Sequence, residues 1–184
     1  MSQDRSEILA SRSDRLVFSG TPLEKGTEAP EFIAVGHRFD SIRLTDSRGK
    51  VLIITGVMSV DIPVCETIIR RFDRSEKLWF SLQHGRIEVW SISMDLPFSL
   101  SRFREIADVK YVKTMSDFRE RSFGSRYSAL LSDPFAGVIG RTAFVIGDKG
   151  TLEYVQYLET TKDEPDYEKI IEAAQIALPK DGGA

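Results

Sequence analysis

The only cysteine of this 184-residue chain, Cys65, is the residue whose type and position most readily allow chemistry. It lies in the stretch ITGVMSVDIPVCETIIRRF (54–72), where an apolar strand pattern gives way to a helical one. A thiol in the first turn of a helix faces the positive end of the helix dipole and free backbone N–H groups, and both favour the nucleophilic thiolate. A free cysteine is also often a buried, unreactive apolar residue. The local sequence therefore leaves a catalyst, a redox sensor and a packing residue as interpretations of this thiol.

Other reactive residue types are sparse. The two histidines, His37 and His84, are isolated, and isolated histidines are usually surface residues, so a Cys–His hydrolase pair is a minor alternative. Asp46 and Asp148 lack the companion ligands that a metal site needs. We therefore predict no metal and no cofactor. A single cysteine also excludes an intramolecular disulfide, a count that fits a reducing compartment.

Charge and hydropathy exclude several classes of partner. The formal net charge is −3 and the pI about 5.5, whereas a nucleic-acid binder normally shows a basic excess. Arginines that alternate with aromatic residues in SRFRE and DFRERSFGSR fit solvated helix faces better than a nucleic-acid surface. The N-terminal residues have only a short apolar patch, and no apolar run reaches the ~18 residues of a membrane span. We predict a cytoplasmic protein with no nucleic-acid or membrane partner.

The elements that would position Cys65 are a strand before it and a helix around it. The run VLIITGV (51–57) is continuously apolar and rich in β-branched residues, which is typical of a strand buried on both faces. Asp61 is a candidate N-cap for the helix, and Pro63 suits its first turn. Apolar residues at helical spacing then follow: Val64, Ile68, Ile69 and Phe72.

Later segments extend this unit into a fold. RIEVWSIS (86–93) predicts a second buried strand and residues 95–107 a second helix. RTAFVIG and TLEYVQYL around DKG predict a hairpin, and a last helix is predicted over Tyr167–Leu178. A βαβ unit followed by a ββα unit is the order of a thioredoxin-like α/β fold, with a central mixed sheet flanked by helices. We predict a flexible tail over residues 1–14 and one domain with a short N-terminal extension over residues 15–184.

Five motifs carry a resemblance to a known family. SVDIPVC, SISMDLPFSLSRF, SDFRERSFGSRYS, GRTAFVIGDKG and DEPDYEKIIEAA resemble, in order and spacing, the thiol peroxidase branch of the peroxiredoxins over roughly residues 15–178. The resemblance implies a thioredoxin fold and reduction of hydroperoxides by a peroxidatic cysteine at the start of a helix, the place of Cys65. It also implies that Arg141 in GRTAF supports the thiolate. The alternative for Arg141 is an ordinary surface arginine at a strand start.

The loop before Cys65 departs from the family pattern of Pro, three residues, Thr, two residues, Cys. Met58 stands at the proline position and Ile62 at the threonine position. The resemblance implies that the threonine hydroxyl steers the peroxide and that the proline shields the thiolate. Ile62 has no hydrogen-bonding side chain, and Met58 is flexible and itself oxidisable. Backbone N–H groups around Val64 and Cys65 remain as expected donors to the peroxide.

A second departure concerns recycling. Arg104 stands where many relatives carry a resolving cysteine, so an external thiol, thioredoxin or a small thiol, would have to reduce oxidised Cys65. The resemblance implies a homodimer, with Phe98 and Phe103 either at its interface or in the core. We predict a one-cysteine thiol-dependent peroxidase with Cys65 and Arg141 as its catalytic pair and a Cys65 pKa below the ordinary value. The alternative is a degenerate, non-catalytic binding or redox-sensing module.

Overall fold

A seven-stranded mixed sheet organises the protein in the computed structural model, which describes residues 15–179. The strands are β1 (Ile33–Gly36), β2 (Ser41–Arg43), β3 (Val51–Gly56), β4 (Ile87–Ser93), β5 (Lys113–Ser116), β6 (Thr142–Ile146) and β7 (Leu152–Tyr157). Their order across the sheet is β2-β1-β5-β4-β3-β6-β7. β3, β4 and β5 pair in parallel, and the other neighbours are antiparallel.

Helices connect and cover these strands. They are α1 (Pro63–Asp73), α2 (Glu76–Gln83), α3 (Pro97–Ala107), α4 (Ser122–Arg126) and α5 (Tyr167–Ile176), and a 3₁₀ turn spans Leu44–Ser47. The predicted α/β fold with a central mixed sheet flanked by helices is confirmed. The predicted tail over residues 1–14 lies outside the described residues. Among the helices of residues 15–179, none has the length and apolar content needed to cross a membrane.

Two apolar clusters lie on opposite faces of the sheet. Ile53, Cys65 and Ile170 belong to one cluster, formed by the sheet with α1, α3 and α5. Phe32 and Trp90 belong to the other. Every residue of β3 is buried because the strand is covered on both faces, which explains why its apolar run is continuous rather than alternating. β3 therefore leads from the buried interior of the sheet to the loop before α1, the helix that carries Cys65.

The start of α1 differs from the prediction by one residue. Asp61 is exposed and its carboxylate pairs with Arg102 at 3.1 Å, so the predicted Asp61 N-cap is wrong. The N-cap is Ile62, in an extended conformation and with no side-chain cap. The Ile62 side chain packs against the apolar cluster, and Ile62 rather than Asp61 is the last residue before the helix. Pro63 is the first helical residue, as predicted.

The second predicted helix also starts later than expected. α3 begins at Pro97 rather than at residue 95, because Asp95 is engaged by the loop before α1. Phe98 at its start is 71% exposed, whereas Phe103 is 8% exposed and belongs to the core. Phe103 is therefore not an interface candidate, and Phe98 remains one.

Candidate active site

Cys65 is the third residue of α1 and is fully buried. The loop that joins β3 to α1, residues 57–62, is called the active-site loop from here on. Backbone N–H groups of Ser59 and Met58 in this loop act as hydrogen-bond donors toward the Cys65 sulfur. The sulfur thus faces donors from the loop as well as the N-terminal end of α1.

Burial, backbone donors and nearby charges together set the pKa of Cys65. Burial is the largest influence and raises the pKa of the Cys65 thiol above its ordinary value. The Ser59 and Met58 donors and the positive charge of Arg141 act in the opposite direction, and the Asp95 carboxylate adds to the increase. Burial outweighs the donors, so the predicted decrease in the Cys65 pKa is wrong.

Arg141 immediately precedes β6 and is fully buried. Its Nη2 donates to the carbonyl of Thr160, whereas Nε and Nη1 have no hydrogen-bond partner among the described residues. Burial lowers the pKa of Arg141, and the nearby thiol of Cys65 opposes that change. Arginine stays charged even so, because its guanidinium does not lose its proton in proteins. The structure thus rules out the alternative of a surface arginine and leaves two buried donors of a cation that interacts with Cys65.

The segment between β7 and α5 holds Arg141 in place. The Thr160 N–H donates to Asp163 Oδ2 at 2.9 Å, which fixes the backbone that presents the Thr160 carbonyl. Glu164 in the same segment pairs with Arg71 of α1 at 3.3 Å. The Thr160 carbonyl therefore anchors the guanidinium of Arg141 on one side. Its Nε and Nη1 have no hydrogen-bond partner in the part of the chain that the structure describes.

Comparisons with known proteins agree with this geometry. The model of the AhpC/TSA family matches residues 25–155. The chain belongs to the AhpC/TSA family. A thiol peroxidase of Halalkalibacterium halodurans is 33% identical over 167 residues, 91% of this chain and 96% of that protein. A thiol peroxidase of Bacillus subtilis is 32% identical over 159 residues, 86% and 91% of the two chains. This AhpC/TSA protein therefore lies in the thiol peroxidase branch of the peroxiredoxins, as its motifs predicted.

Solved structures extend the likeness to the fold. A peroxiredoxin-like protein from Aquifex aeolicus superposes with a TM-score of 0.79 at 28% identity, covering 89% of this chain and 98% of that chain. A thiol peroxidase from Chromobacterium violaceum gives a TM-score of 0.75, covers 89% and 97% of the two chains, and at 21% identity shows the fold alone.

Met58 and Ile62, which the resemblance places at the family's proline and threonine positions, lie in the loop beside the thiol. Met58 is 8% exposed and belongs to the same apolar cluster as Cys65. Ile62 and Val64 are half-buried and pack against that cluster. Of the three side chains, none donates or accepts a conventional hydrogen bond, so the groups that lower the Cys65 pKa are backbone donors and Arg141.

Residues outside this group do other work. Arg104 is half-buried in α3 and donates to the carbonyl of Val112, so it ties α3 to β5. Both histidines are exposed; the ring of His84 bonds the Phe80 carbonyl at 2.8 Å. Neither is among the groups that influence Cys65, which leaves the Cys–His hydrolase alternative without support.

One residue of the site, Asp95, is not recognisable as such from the sequence. Its carboxylate accepts three hydrogen bonds, from the Ser59 hydroxyl, the Val60 N–H and the Ser93 hydroxyl, each at 2.8 Å. Asp95 was predicted only as the first residue of a helix. The available signal is the recurrence of short polar residues in the motifs SVDIPVC and SISMDLPF, but the contacts between the two motifs join positions about 35 residues apart.

Proposed function

We propose that this protein is a one-cysteine peroxidase that reduces hydrogen peroxide or alkyl hydroperoxides at Cys65. The observation that carries the proposal is the fully buried Arg141, whose charge interacts with Cys65 and whose Nε and Nη1 have no hydrogen-bond partner within residues 15–179. Burying a cation without compensation costs several kcal/mol. A cysteine that served only in packing would not need a buried cation beside it. A thiolate and a bound peroxide supply the missing negative charge and acceptors.

The reaction follows from this arrangement. The Cys65 thiolate attacks one oxygen of ROOH, a sulfur–oxygen bond forms, and the O–O bond breaks. Cys65 is oxidised by two electrons to sulfenic acid, and the RO⁻ leaving group takes a proton to become ROH. Arg141 and the N–H groups of Ser59 and Met58 stabilise the negative charge that spreads from sulfur to oxygen.

The reductive half of the cycle needs a thiol from outside the chain. A first thiol R′SH attacks the sulfenic acid, forms the mixed disulfide and releases water. A second R′SH then releases Cys65 as the thiol together with R′SSR′. Thioredoxin or a small thiol fits this role because the chain holds no second cysteine and Arg104 stands at the resolving position. Such thiols are available in the cytoplasm, the location that the sequence predicts.

A homodimer is the second finer element of the proposal. Phe98 is 71% exposed, Leu96 is 49% exposed, and the ring of Phe39 lies 4.9 Å from that of Phe98. These three residues form an apolar patch beside Asp95 and the active-site loop. Phe98→Ser should convert the dimer to a monomer in light scattering, whereas Ile106→Ser, at a residue 74% exposed further along α3, should not. A wild-type monomer at micromolar concentration would contradict the dimer.

One observation favours the alternative of a non-catalytic redox-sensing module. Cys65 is fully buried with a raised pKa, and its loop carries Ile62 and Met58 at the family's threonine and proline positions. A sensor would react slowly and keep its oxidised state. A peroxidase would react fast and be recycled by added thiol.

The deciding experiment is a titration with equimolar hydrogen peroxide, read by intact mass. The wild-type protein should gain one oxygen atom, and an added small thiol should replace it with a mixed disulfide. Cys65→Ser is the matched control because it retains the four oxidisable methionines. A wild-type gain no larger than that of Cys65→Ser would overturn the peroxidase.

A further inference from the structure

Asp95 connects two segments that are distant in sequence. It follows β4, just before α3, and reaches across to the active-site loop. Oδ1 accepts the Ser59 hydroxyl, while Oδ2 accepts the Val60 N–H and the Ser93 hydroxyl, all at 2.8 Å. The Ser93 hydroxyl in turn accepts the Asp95 N–H at 3.2 Å, so the carboxylate is itself fixed to the end of β4.

These contacts fall where the loop presents its donors to the sulfur. The Ser59 N–H acts toward Cys65, and the side chain of the same Ser59 is bonded to Asp95. The next N–H along the chain, that of Val60, is bonded to the other carboxylate oxygen. Asp95 therefore fixes the Ser59 side chain and the peptide group that follows Ser59, next to the peptide whose N–H acts on the thiol. Ser59 Oγ also accepts the Asp61 N–H at 3.2 Å, which extends the fixed stretch toward α1.

We propose that Asp95 is a positioning residue of the peroxidatic site, which holds the N–H donors of the active-site loop on the Cys65 sulfur. This inference rests on the proposed function, because it assigns a role within the same site. Asp95 does not touch the reacting atoms. It acts through Ser59 and Val60, which it ties to the end of β4.

Electrostatics support a geometric role. The negative charge of Asp95 opposes thiolate formation, since it adds to the increase in the Cys65 pKa. A carboxylate beside a reactive thiol therefore works against the nucleophile through its charge. Its benefit must come through its hydrogen bonds, because three donors converge on it within 2.8 Å.

Two neutral substitutions separate geometry from charge. Asp95→Ala and Asp95→Asn both remove the charge, but only asparagine can keep the loop in place. Its carbonyl can accept from Val60 and Ser93, and its amide can donate to the Ser59 hydroxyl, which can turn to accept. The readout is the ratio of two second-order rate constants of Cys65, with hydrogen peroxide and with iodoacetamide, measured on the full chain. Alkylation does not use the oriented donors that the peroxide reaction needs.

We expect Asp95→Ala to react with peroxide about tenfold or more slowly than wild type, the effect of losing a hydrogen bond to a charged group. Its alkylation should become faster, because a loosened loop exposes the buried sulfur. Asp95→Asn should keep the wild-type ratio of the two rates, because loss of the charge favours the thiolate equally in both reactions. Asp61→Ala is the matched control: its carboxylate lies in the same loop but is exposed and pairs with Arg102, so the ratio should not change.

Ser59→Ala keeps the charge and removes one of the three bonds, and it carries the test if Asp95→Ala shows no cooperative melting transition. It should lower the ratio by about three- to tenfold. Equal ratios for Asp95→Ala and Asp95→Asn, or an unchanged ratio for Ser59→Ala, would overturn the positioning role. If wild-type Cys65 reacts with peroxide no faster than a free thiol, the proposed function fails instead. A larger increase in alkylation for Asp95→Ala than for Asp95→Asn would then still support the tether.

Discussion

The N-cap of helix α5 is Asp166, whose carboxylate accepts a hydrogen bond from the backbone N–H of Lys169 at 3.2 Å. The N-cap of α1 is Ile62, whose side chain makes no capping hydrogen bond. In α1 the first hydrogen bond is made by backbone alone, from the Cys65 N–H to the Ile62 carbonyl at 2.9 Å. The two helices pack in the same apolar cluster, so the difference lies in their first turns. α5 satisfies its end with an acidic cap, and α1 places a thiol there.

This contrast teaches where stability and reactivity reside. An acidic N-cap stabilises a helix by satisfying a free N–H and by complementing the helix dipole. At α1 the group that would complement the dipole is the thiolate, supported by the buried charge of Arg141. Substitutions around α1 should therefore change the reactivity of Cys65, and substitutions at the start of α5 should change stability.

The largest expected effect comes from Arg141, which has no counterpart at α5. Arg141→Met should slow the reaction of Cys65 with peroxide by about a hundred- to thousand-fold, as expected when a preorganised donor is lost from a reacting site. Stability should fall little, because an apolar side chain of similar length can replace a buried charge at small cost. Stopped-flow peroxide kinetics and thermal melting measure the two.

Arg141→Lys is the control for this change. It retains the charge but loses the planar donors, so its peroxide rate should lie between those of wild type and Arg141→Met. A peroxide rate for Arg141→Met within about threefold of wild type, far from the effect of a lost oriented donor, would show that the buried guanidinium only fills space.

The next largest effect is expected at Ile62, which is the N-cap of α1 and which the resemblance places at the family's threonine position. Ile62→Thr would give α1 a side-chain cap and return a hydroxyl to the loop, and we expect the peroxide rate to rise by about tenfold or more, up to the hundredfold of a well-placed hydrogen bond. Ile62→Val is the matched control, since valine has the shape of threonine without the hydroxyl. Equal peroxide rates for the two variants would mean that the loop serves another purpose.

Met58→Pro should behave differently from the threonine change. The Met58 N–H acts as a donor toward the sulfur, and proline has no N–H, so restoring the family's proline alone should lower the peroxide rate or leave it unchanged. Met58→Ala, which keeps the N–H, is the control. A faster reaction in Met58→Pro than in Met58→Ala would indicate that shielding by the ring matters more than the donor.

The position of Cys65 could be predicted because it follows from local pattern. A buried β-branched strand, a proline at the first helical position and apolar residues at helical spacing place the thiol in the first turn of α1. The short helix α2 was missed for the opposite reason. Only Leu78 among its residues is buried, while Trp79 and Phe80 are exposed, so its apolar residues do not form the stripe that predicts a helix.

The site's energetics could not be predicted, since they depend on tertiary contacts. The sequence places Arg141 at a strand start. It does not show that Arg141 is buried, or that its Nε and Nη1 have no hydrogen-bond partner among residues 15–179. It places Cys65 near helpful charges but does not give the extent of desolvation, which decides the direction of the pKa shift. Asp95 bonds residues that only the sheet brings together.

The raised pKa of Cys65 makes a pH-dependent contribution to stability in the first turn of α1. Because folding favours the protonated thiol, this contribution is complete below the unfolded-state pKa of about 8.5 and is lost as pH rises through the higher folded-state pKa. Denaturant unfolding should therefore show that wild type loses stability above about pH 8.5 more steeply than Cys65→Ser. Parallel curves for the two proteins would place the folded-state pKa at its ordinary value.

The smallest effect is expected at Asp166, where the comparison predicts a change in stability alone. Asp166→Ala removes the acceptor for the Lys169 N–H and the 2.7 Å ion pair with the Lys169 side chain. The melting temperature should fall by about 2–4 °C, the shift expected from loss of one cap in a chain of this size. The melting temperature of Asp166→Asn should fall less, because asparagine caps a helix as well as aspartate does and only the exposed ion pair is lost. Cys65 should react with peroxide at the wild-type rate in both variants, since the cap lies outside the group of residues that acts on the sulfur. A slower peroxide reaction in Asp166→Ala would show that the start of α5 also sets the segment holding Arg141, and the division between a stabilising helix end and a reactive one would fail.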